Sequence, residues 1–65
     1  MNYFECRWVS YGNPDQITKH TSIDDTMMYI DIITDNFDSL ICNKIVEYHD
    51  GKLVRILTQD SSEWV

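Results

Sequence analysis

Basic residues are scarce in this sequence of 65 residues, in which 5 Lys and Arg stand against 11 Asp and Glu and the net charge is −6. A protein that binds nucleic acid through its phosphates needs a basic patch, so direct nucleic-acid binding is not expected. The same balance argues against binding to an anionic membrane surface. No apolar run approaches the roughly 20 residues of a membrane span, and the first residues lack the basic-then-apolar layout of a secretory signal. We therefore expect a cytoplasmic protein.

The sequence also lacks the motifs that usually carry catalysis. It has no Gly-rich phosphate loop, no nucleophile elbow and no pair of histidines in the H-E-x-x-H spacing. A chain of this length buries only about 60% of the surface that its unfolded form exposes, which leaves little room for a catalytic cleft. We predict a non-enzymatic protein that uses no cofactor.

Cys6 and Cys42 are the only cysteines. Because no export signal is recognised, we predict two packed free thiols, with a disulfide as the alternative. Together with His20 and His49 they make four residues of the two types that most often bind zinc. No two of the four lie in the close spacing of known zinc modules, so we predict no metal site.

Turn residues divide the chain into a few segments, at Gly12 to Asp15 and at Asp50-Gly51. Alternation of apolar and polar residues before the first turn predicts a strand. The predicted fold is α+β, in the order β-(β)-α-β-β, with one helix packed on a small antiparallel sheet in a single domain. Its elements are a strand at 2–11, a possible edge strand at 16–21, a helix at 23–38, a hairpin at 41–58 and a polar tail at 59–65.

The predicted helix follows Ser22 in a pattern similar to a capping box, with Asp25 in place of the usual Glu or Gln. Beyond it, apolar residues recur at steps of three and four, which is typical of an amphipathic helix. A strand is the competing interpretation, because residues 29–34 are rich in β-branched types, and it would place Ile32 and Ile33 on opposite faces. The helix residues predicted to face the sheet are Ile23, Met27, Ile30, Ile33 and Phe37.

Asp50-Gly51 is a strong hairpin signal between two apolar segments. A two-residue loop and a three-residue bulged loop give different cross-strand partners, and both stay open. The first pairs Tyr48 with Leu53 and Ile45 with Ile56, and the second pairs Val46 with Val54. The sheet residues predicted to meet the helix are Phe4, Cys6, Trp8, Ile45, Val54 and Ile56.

Four aspartates are predicted to lie within about 60° of one another around the helix axis, on one face. No Lys or Arg lies between Lys19 and Lys44 to neutralise them. Acidic residues are favourable in the first turn of a helix, whereas like charges four residues apart and acids near the last turn are unfavourable. We call these residues the acidic stripe: Asp24, Asp31, Asp35 and Asp38.

The acidic stripe has two interpretations. It is either a solvated face that keeps a small protein in solution or a contact patch for a basic surface of another protein. Met28 and Ile32 are predicted to border it on the side away from the core, which favours an apolar anchor with an electrostatic rim. A divalent cation at these carboxylates is a weaker alternative, because the helix supplies ligands from one side only.

A second hypothesis is a structural or assembly protein that forms a homodimer. The outer sheet face would contribute Tyr3, Val9 and Tyr11, and Trp64 at the end of the chain would either fold back onto the sheet or wait for a partner. A core of this size supplies only a few kcal/mol, so stabilisation by dimerisation is a reasonable expectation.

The layout resembles that of small phage-encoded inhibitor proteins, including certain anti-CRISPR proteins and the small RNA-polymerase inhibitor of T7-type phages. The resemblance is carried by a strand, a short return, the helix start at residues 21–25 and the closing Asp50-Gly51 hairpin. It also resembles the T4-type phage antitoxin that neutralises a host RNase toxin, in the order of Trp8, Thr18-Lys19 and Asp24-Asp25. The resemblance implies a non-enzymatic inhibitor that occupies a functional surface of a host nuclease, polymerase or toxin, in part by acidic mimicry of nucleic acid.

Overall fold

A computed structural model describes residues 1–60 and 63–65. One helix packs on one face of an antiparallel sheet, which confirms the predicted α+β class. The elements are β1 (Tyr3–Ser10), β2 (Gln16–His20), α1 (Ile23–Asn36), β3 (Leu40–His49), β4 (Lys52–Leu57), β5 (Gln59–Asp60) and β6 (Glu63–Trp64).

The four longer strands form one sheet in the order β2-β1-β3-β4, in which every neighbouring pair is antiparallel. The two short strands β5 and β6 pair with each other in a separate ribbon. The segment 16–21 was predicted only as a possible strand. It forms the edge strand β2. The exposed charge of Lys19 on this strand disfavours pairing with the edge of a sheet in another molecule.

The helix begins where predicted, because Ser22 accepts a hydrogen bond from the backbone N–H of Asp25 at 3.1 Å. It ends at Asn36, two residues earlier than predicted. Phe37 has extended backbone angles, and its N–H still donates to the carbonyl of Ile33 at 2.8 Å. Asp38 therefore lies in the turn after the helix.

The β3–β4 hairpin has a two-residue turn, in which Asp50 and Gly51 take positive φ angles of 52° and 79°. Tyr48 pairs with Leu53, as the two-residue loop predicts. The predicted pair of Ile45 with Ile56 is wrong, and so is the alternative pair of Val46 with Val54. A bulge shifts the register beyond Glu47, so the observed pairs are Ile45 with Leu57 and Val46 with Ile56.

This shift changes which residues of β4 reach the core. Leu57 is buried, whereas the predicted core residues Val54 and Ile56 are exposed. Val54 lies at the register change, and Ile56 pairs with Val46 on the sheet face opposite to Leu57. Phe37 was also predicted in the core, but it follows the last helical residue and is 56% exposed. The buried core consists of Cys6, Trp8, Ile30, Cys42, Ile45 and Leu57, with Phe4, Ile23, Met27, Tyr29, Ile33, Leu40 and Trp64 packed around it.

On the sheet face away from the helix, Glu5 and Arg7 form an ion pair next to the ring of Tyr48. Glu5 is buried, and its carboxylate accepts a hydrogen bond from Arg7 at 3.0 Å. This bond raises the pKa of Arg7. Tyr3 stacks on Tyr48 with ring centroids 4.9 Å apart, and Lys19 lies over the Tyr3 ring at 5.1 Å.

No helix in the described ranges is long and apolar enough to cross a membrane.

Candidate functional site: an acidic groove beside the helix

A groove of about 530 Å³ runs between α1, the start of β3 and the β5–β6 ribbon. Its volume lies within the range of about 300–1,000 Å³ that is usual for ligand sites. We call it the acidic groove and define it by its lining residues: Met27, Ile30, Asp31, Thr34, Asp35, Asp38, Leu40, Ile41, Cys42, Gln59 and Trp64.

One wall of the acidic groove is formed by three members of the predicted acidic stripe. Asp31 and Asp35 lie on successive turns of α1, about 5–6 Å apart at their Cβ atoms, and Asp38 follows in the turn. All three are exposed. Among the described residues none of them makes an ion pair, and no Lys or Arg lines the groove. The wall is therefore an uncompensated row of negative charge.

Trp64 of the β5–β6 ribbon also lines the groove. The backbones of Thr58 and Val65 exchange two hydrogen bonds of 2.9 Å, and Gln59 pairs with Trp64 in the β5–β6 ribbon. These bonds return the end of the chain to the core, where Trp64 packs as a half-buried residue. The sequence placed Trp64 and the acidic stripe in two separate candidate interfaces, and the fold brings them together in one.

The remaining predicted contact residues lie outside the groove. Asp24 is exposed in the first turn of α1, and Met28 and Ile32 are 61% and 52% exposed on the other border of the acidic stripe. Tyr11 is 99% exposed in the β1–β2 turn, where it lines neither the groove nor the core. The acidic stripe thus has an apolar border on both sides, and the border formed by the groove is concave.

The floor of the groove is apolar, including the thiol of Cys42. Both cysteines are free and buried, as predicted. The neighbouring Cys6 thiol, together with burial, raises the pKa of the Cys42 thiol, so this group stays neutral. The Cys42 thiol in turn lowers the pKa of Cys6, which is fully buried. The floor therefore offers no charge that could balance the acidic wall.

The sequence did not indicate that Leu40, Ile41, Cys42 and Gln59 line a site with the aspartates. Leu40 and Ile41 lie at the start of a strand, and only their nearness to Asp38 in sequence could have suggested that they line the same groove. Gln59 was placed in a polar tail with no element of its own. Its position depends on the ribbon that the distant Thr58–Val65 bonds close.

Metal binding has no support in the arrangement of the side chains. No group of three or more His, Cys, Asp or Glu in residues 1–60 and 63–65 is placed to hold a metal ion. Of the four residues considered for zinc, His20 contacts Thr18 Oγ1 at 2.9 Å and His49 contacts the Glu47 carboxylate at 2.7 Å. What the groove can do chemically is accept hydrogen bonds and attract positive charge beside an apolar surface.

No protein-family model, curated protein or solved structure matches this chain.

Proposed function

We propose that this protein is a small, non-enzymatic module that binds a basic surface of a larger protein through the acidic groove and the adjoining acidic stripe. The observation that carries the proposal is the combination found in one groove. Asp31, Asp35 and Asp38 form a wall without a compensating cation, and the same groove is lined by apolar side chains and by Trp64. A stable protein contact needs both an apolar centre and a complementary charged rim.

A purely solubilising acidic face would not need the apolar floor. Surface charges that only keep a protein in solution are expected to be of both signs and to lie away from contiguous apolar patches. Here the charges border a concavity, and on the other side they border the exposed Met28 and Ile32. This arrangement favours a contact patch over a solvated face.

We further propose that binding inhibits the partner by occupying a nucleic-acid-binding surface of a host nuclease, polymerase or toxin. Such surfaces are basic because they bind phosphates, so a uniformly acidic face is attracted to them over distances of about a Debye length. The carboxylates of Asp31, Asp35 and Asp38 extend over a length of about two helical turns and imitate only a short part of a phosphate backbone. Partial nucleic-acid mimicry anchored by apolar contacts is the mode that this surface supports.

The proposal is tested by affinity capture from a host lysate at low and high salt, followed by measurement of binding to the purified protein that is captured. The informative variant is the triple substitution Asp31→Asn, Asp35→Asn and Asp38→Asn. A matched triple substitution removes three charges outside both the groove and the acidic stripe, at Asp15, Asp25 and Asp50. Both variants change the net charge from −6 to −3.

We expect the groove variant to lose salt-sensitive binding and the matched variant to keep most of it. Far-UV circular dichroism serves as the control for folding, since all six positions are exposed. If the groove variant binds the captured protein as tightly as the original chain, the acidic groove is not the contact and the proposal is wrong.

A homodimer through the outer sheet face is the second candidate function. It is favoured by three large apolar side chains that are exposed on the sheet, Ile17, Leu53 and Ile56, at 52%, 53% and 46%. Sedimentation equilibrium at micromolar concentration tests it, with Leu53→Ser and Ile56→Ser as the disruptive variant. A monomer throughout the concentration range removes this candidate. The test does not require deletion of residues 64–65, because Trp64 packs on the core of its own chain.

A further inference from the structure

The acidic groove combines an acidic wall with apolar lining residues. This combination limits the chemical class of the ligand more than the net charge of the protein does. The wall offers hydrogen-bond acceptors almost exclusively. The carboxylates of Asp31, Asp35 and Asp38 have no hydrogen to donate when ionised. The hydroxyl of Thr34, which also lines the groove, already donates to the carbonyl of Ile30 at 2.6 Å. A ligand at this wall must therefore bring several donors.

The floor requires an apolar segment next to those donors. Met27, Ile30 and Leu40 line it, and the neutral thiol of Cys42 adds no charge. A compact hydrated cation would leave this apolar surface uncovered. A long side chain with an aliphatic stem and a charged end covers the floor and reaches the wall at the same time.

The lining of the groove also includes an aromatic side chain, which comes from the β5–β6 ribbon. Trp64 is half-buried and is held in place by the backbone bonds between Thr58 and Val65. An indole face attracts a cation, most often a guanidinium, within about 6 Å of the ring. Ile41, which is 59% exposed in the groove lining, offers an apolar contact to a neighbouring side chain of the same ligand.

From these three features we propose that the acidic groove binds one arginine side chain of a partner protein, presented on an extended segment with apolar neighbours. The aliphatic stem lies on the floor, and the guanidinium lies between the carboxylate wall and Trp64. A planar guanidinium carries five donors and can bond two carboxylates along its edges, whereas the ammonium of lysine is a compact, strongly hydrated charge. Arginine is therefore favoured over lysine. This inference rests on the proposed function, because it names the chemistry of the partner at the same site.

The test is a direct titration of the full chain with three short peptides, each acetylated and amidated, in which a central residue is flanked by leucines. The central residue is arginine, lysine or citrulline. Citrulline has nearly the shape of arginine but no charge. Calorimetry gives the affinity, and Trp64 fluorescence reports on the groove, because Trp8 is only 2% exposed and contributes a constant background.

We expect the arginine peptide to bind about tenfold or more tightly than the citrulline peptide, since hydrogen bonds to a charged group account for a difference of that order. The lysine peptide should fall between the two. Asp31→Asn with Asp35→Asn should remove the preference for arginine, and the matched Asp15→Asn with Asp50→Asn should keep it. Added salt should reduce the preference without abolishing the apolar part of binding.

Equal binding of the arginine and citrulline peptides, or no binding at millimolar concentration, overturns the arginine inference. Its failure is distinguishable from that of the proposed function. If the peptides show no preference while the groove variant still loses capture of the partner protein, the groove binds a basic surface but not through an inserted arginine. If capture is also unchanged, both proposals are wrong.

Discussion

The indole nitrogen of Trp8 in β1 donates a hydrogen bond of 2.8 Å to Thr18 Oγ1 in the edge strand β2. Trp8 is a central residue of the core and is 2% exposed, so its N–H has no access to bulk solvent. The same threonine hydroxyl contacts His20 Nε2 at 2.9 Å. A short edge strand, whose other residues are mostly exposed, is thus joined to the core by a side-chain hydrogen bond in addition to its backbone pairing with β1.

Replacement of Thr18 by valine should therefore destabilise the protein by about 1–3 kcal/mol. Valine keeps the shape but leaves the buried indole N–H without an acceptor. Urea unfolding followed by circular dichroism measures the change. Thr18→Ser, which keeps the hydroxyl, is the control and should cost clearly less. Equal losses in the two variants would mean that packing, and not the hydrogen bond, holds β2 in place.

Asp35→Asn should stabilise the protein by about 0.2–0.5 kcal/mol. The substitution removes a like-charge contact with Asp31 one turn earlier. It also removes a negative charge from the last turn of α1, which has no basic residue. The gain should appear in urea unfolding at low salt and shrink at high salt, because the charges are exposed. A stability loss would show that Asp35 makes a favourable interaction in the folded chain.

Arg7→Met should cost about 1–3 kcal/mol, because it leaves the buried carboxylate of Glu5 without its partner. Adding Glu5→Gln in the same chain should recover most of this loss, since the unpaired charge is then removed. A double-mutant cycle in urea measures the coupling between the two residues. Additive effects would show that the pair contributes little to stability.

The stability should fall as the pH is lowered below about 6.5, in part because of His20. Burial lowers the pKa of His20 in the folded chain, although Asp25 partly opposes this. Between the folded pKa and the unfolded value of about 6.5, the unfolded chain binds the proton and the folded chain does not, so protonation favours unfolding. Well above pH 6.5 His20 is neutral in both the folded and the unfolded chain, and its full contribution to stability is present.

Urea unfolding at pH 7.5 and pH 5.5 checks this for the original chain and for His20→Gln. The original chain should lose more stability between the two pH values than the variant does. The same loss in both would assign the pH dependence to other groups and contradict the role of His20.

The sequence was sufficient to predict the fold class and most elements because their signals are local. Ser22 begins the helix with its own side chain, and Asp50-Gly51 adopts the positive φ angles that a two-residue hairpin turn requires. The register beyond this turn could not be predicted. It depends on a one-residue bulge next to the pair of Tyr48 with Leu53. Because of this bulge, Leu57 and not Ile56 lies in the core.

The candidate site was predictable in part for a similar reason. Helical periodicity alone placed Asp31 and Asp35 on one face, and Asp38 stays near them in the turn after α1. The other half of the groove depends on contacts between residues that are far apart in sequence. Trp64 reaches the floor because the end of the chain bonds back to Thr58, and no local pattern in a polar segment indicates that return.

The most direct test of the central claim is to map where the captured partner touches the isotope-labelled protein by NMR. We predict that backbone amide shifts and line broadening concentrate at residues 31–42, at Gln59 and at the indole of Trp64. The outer sheet residues Ile17, Leu53 and Ile56 should change little. Perturbations confined to that outer face, with the acidic groove unaffected, would contradict the account.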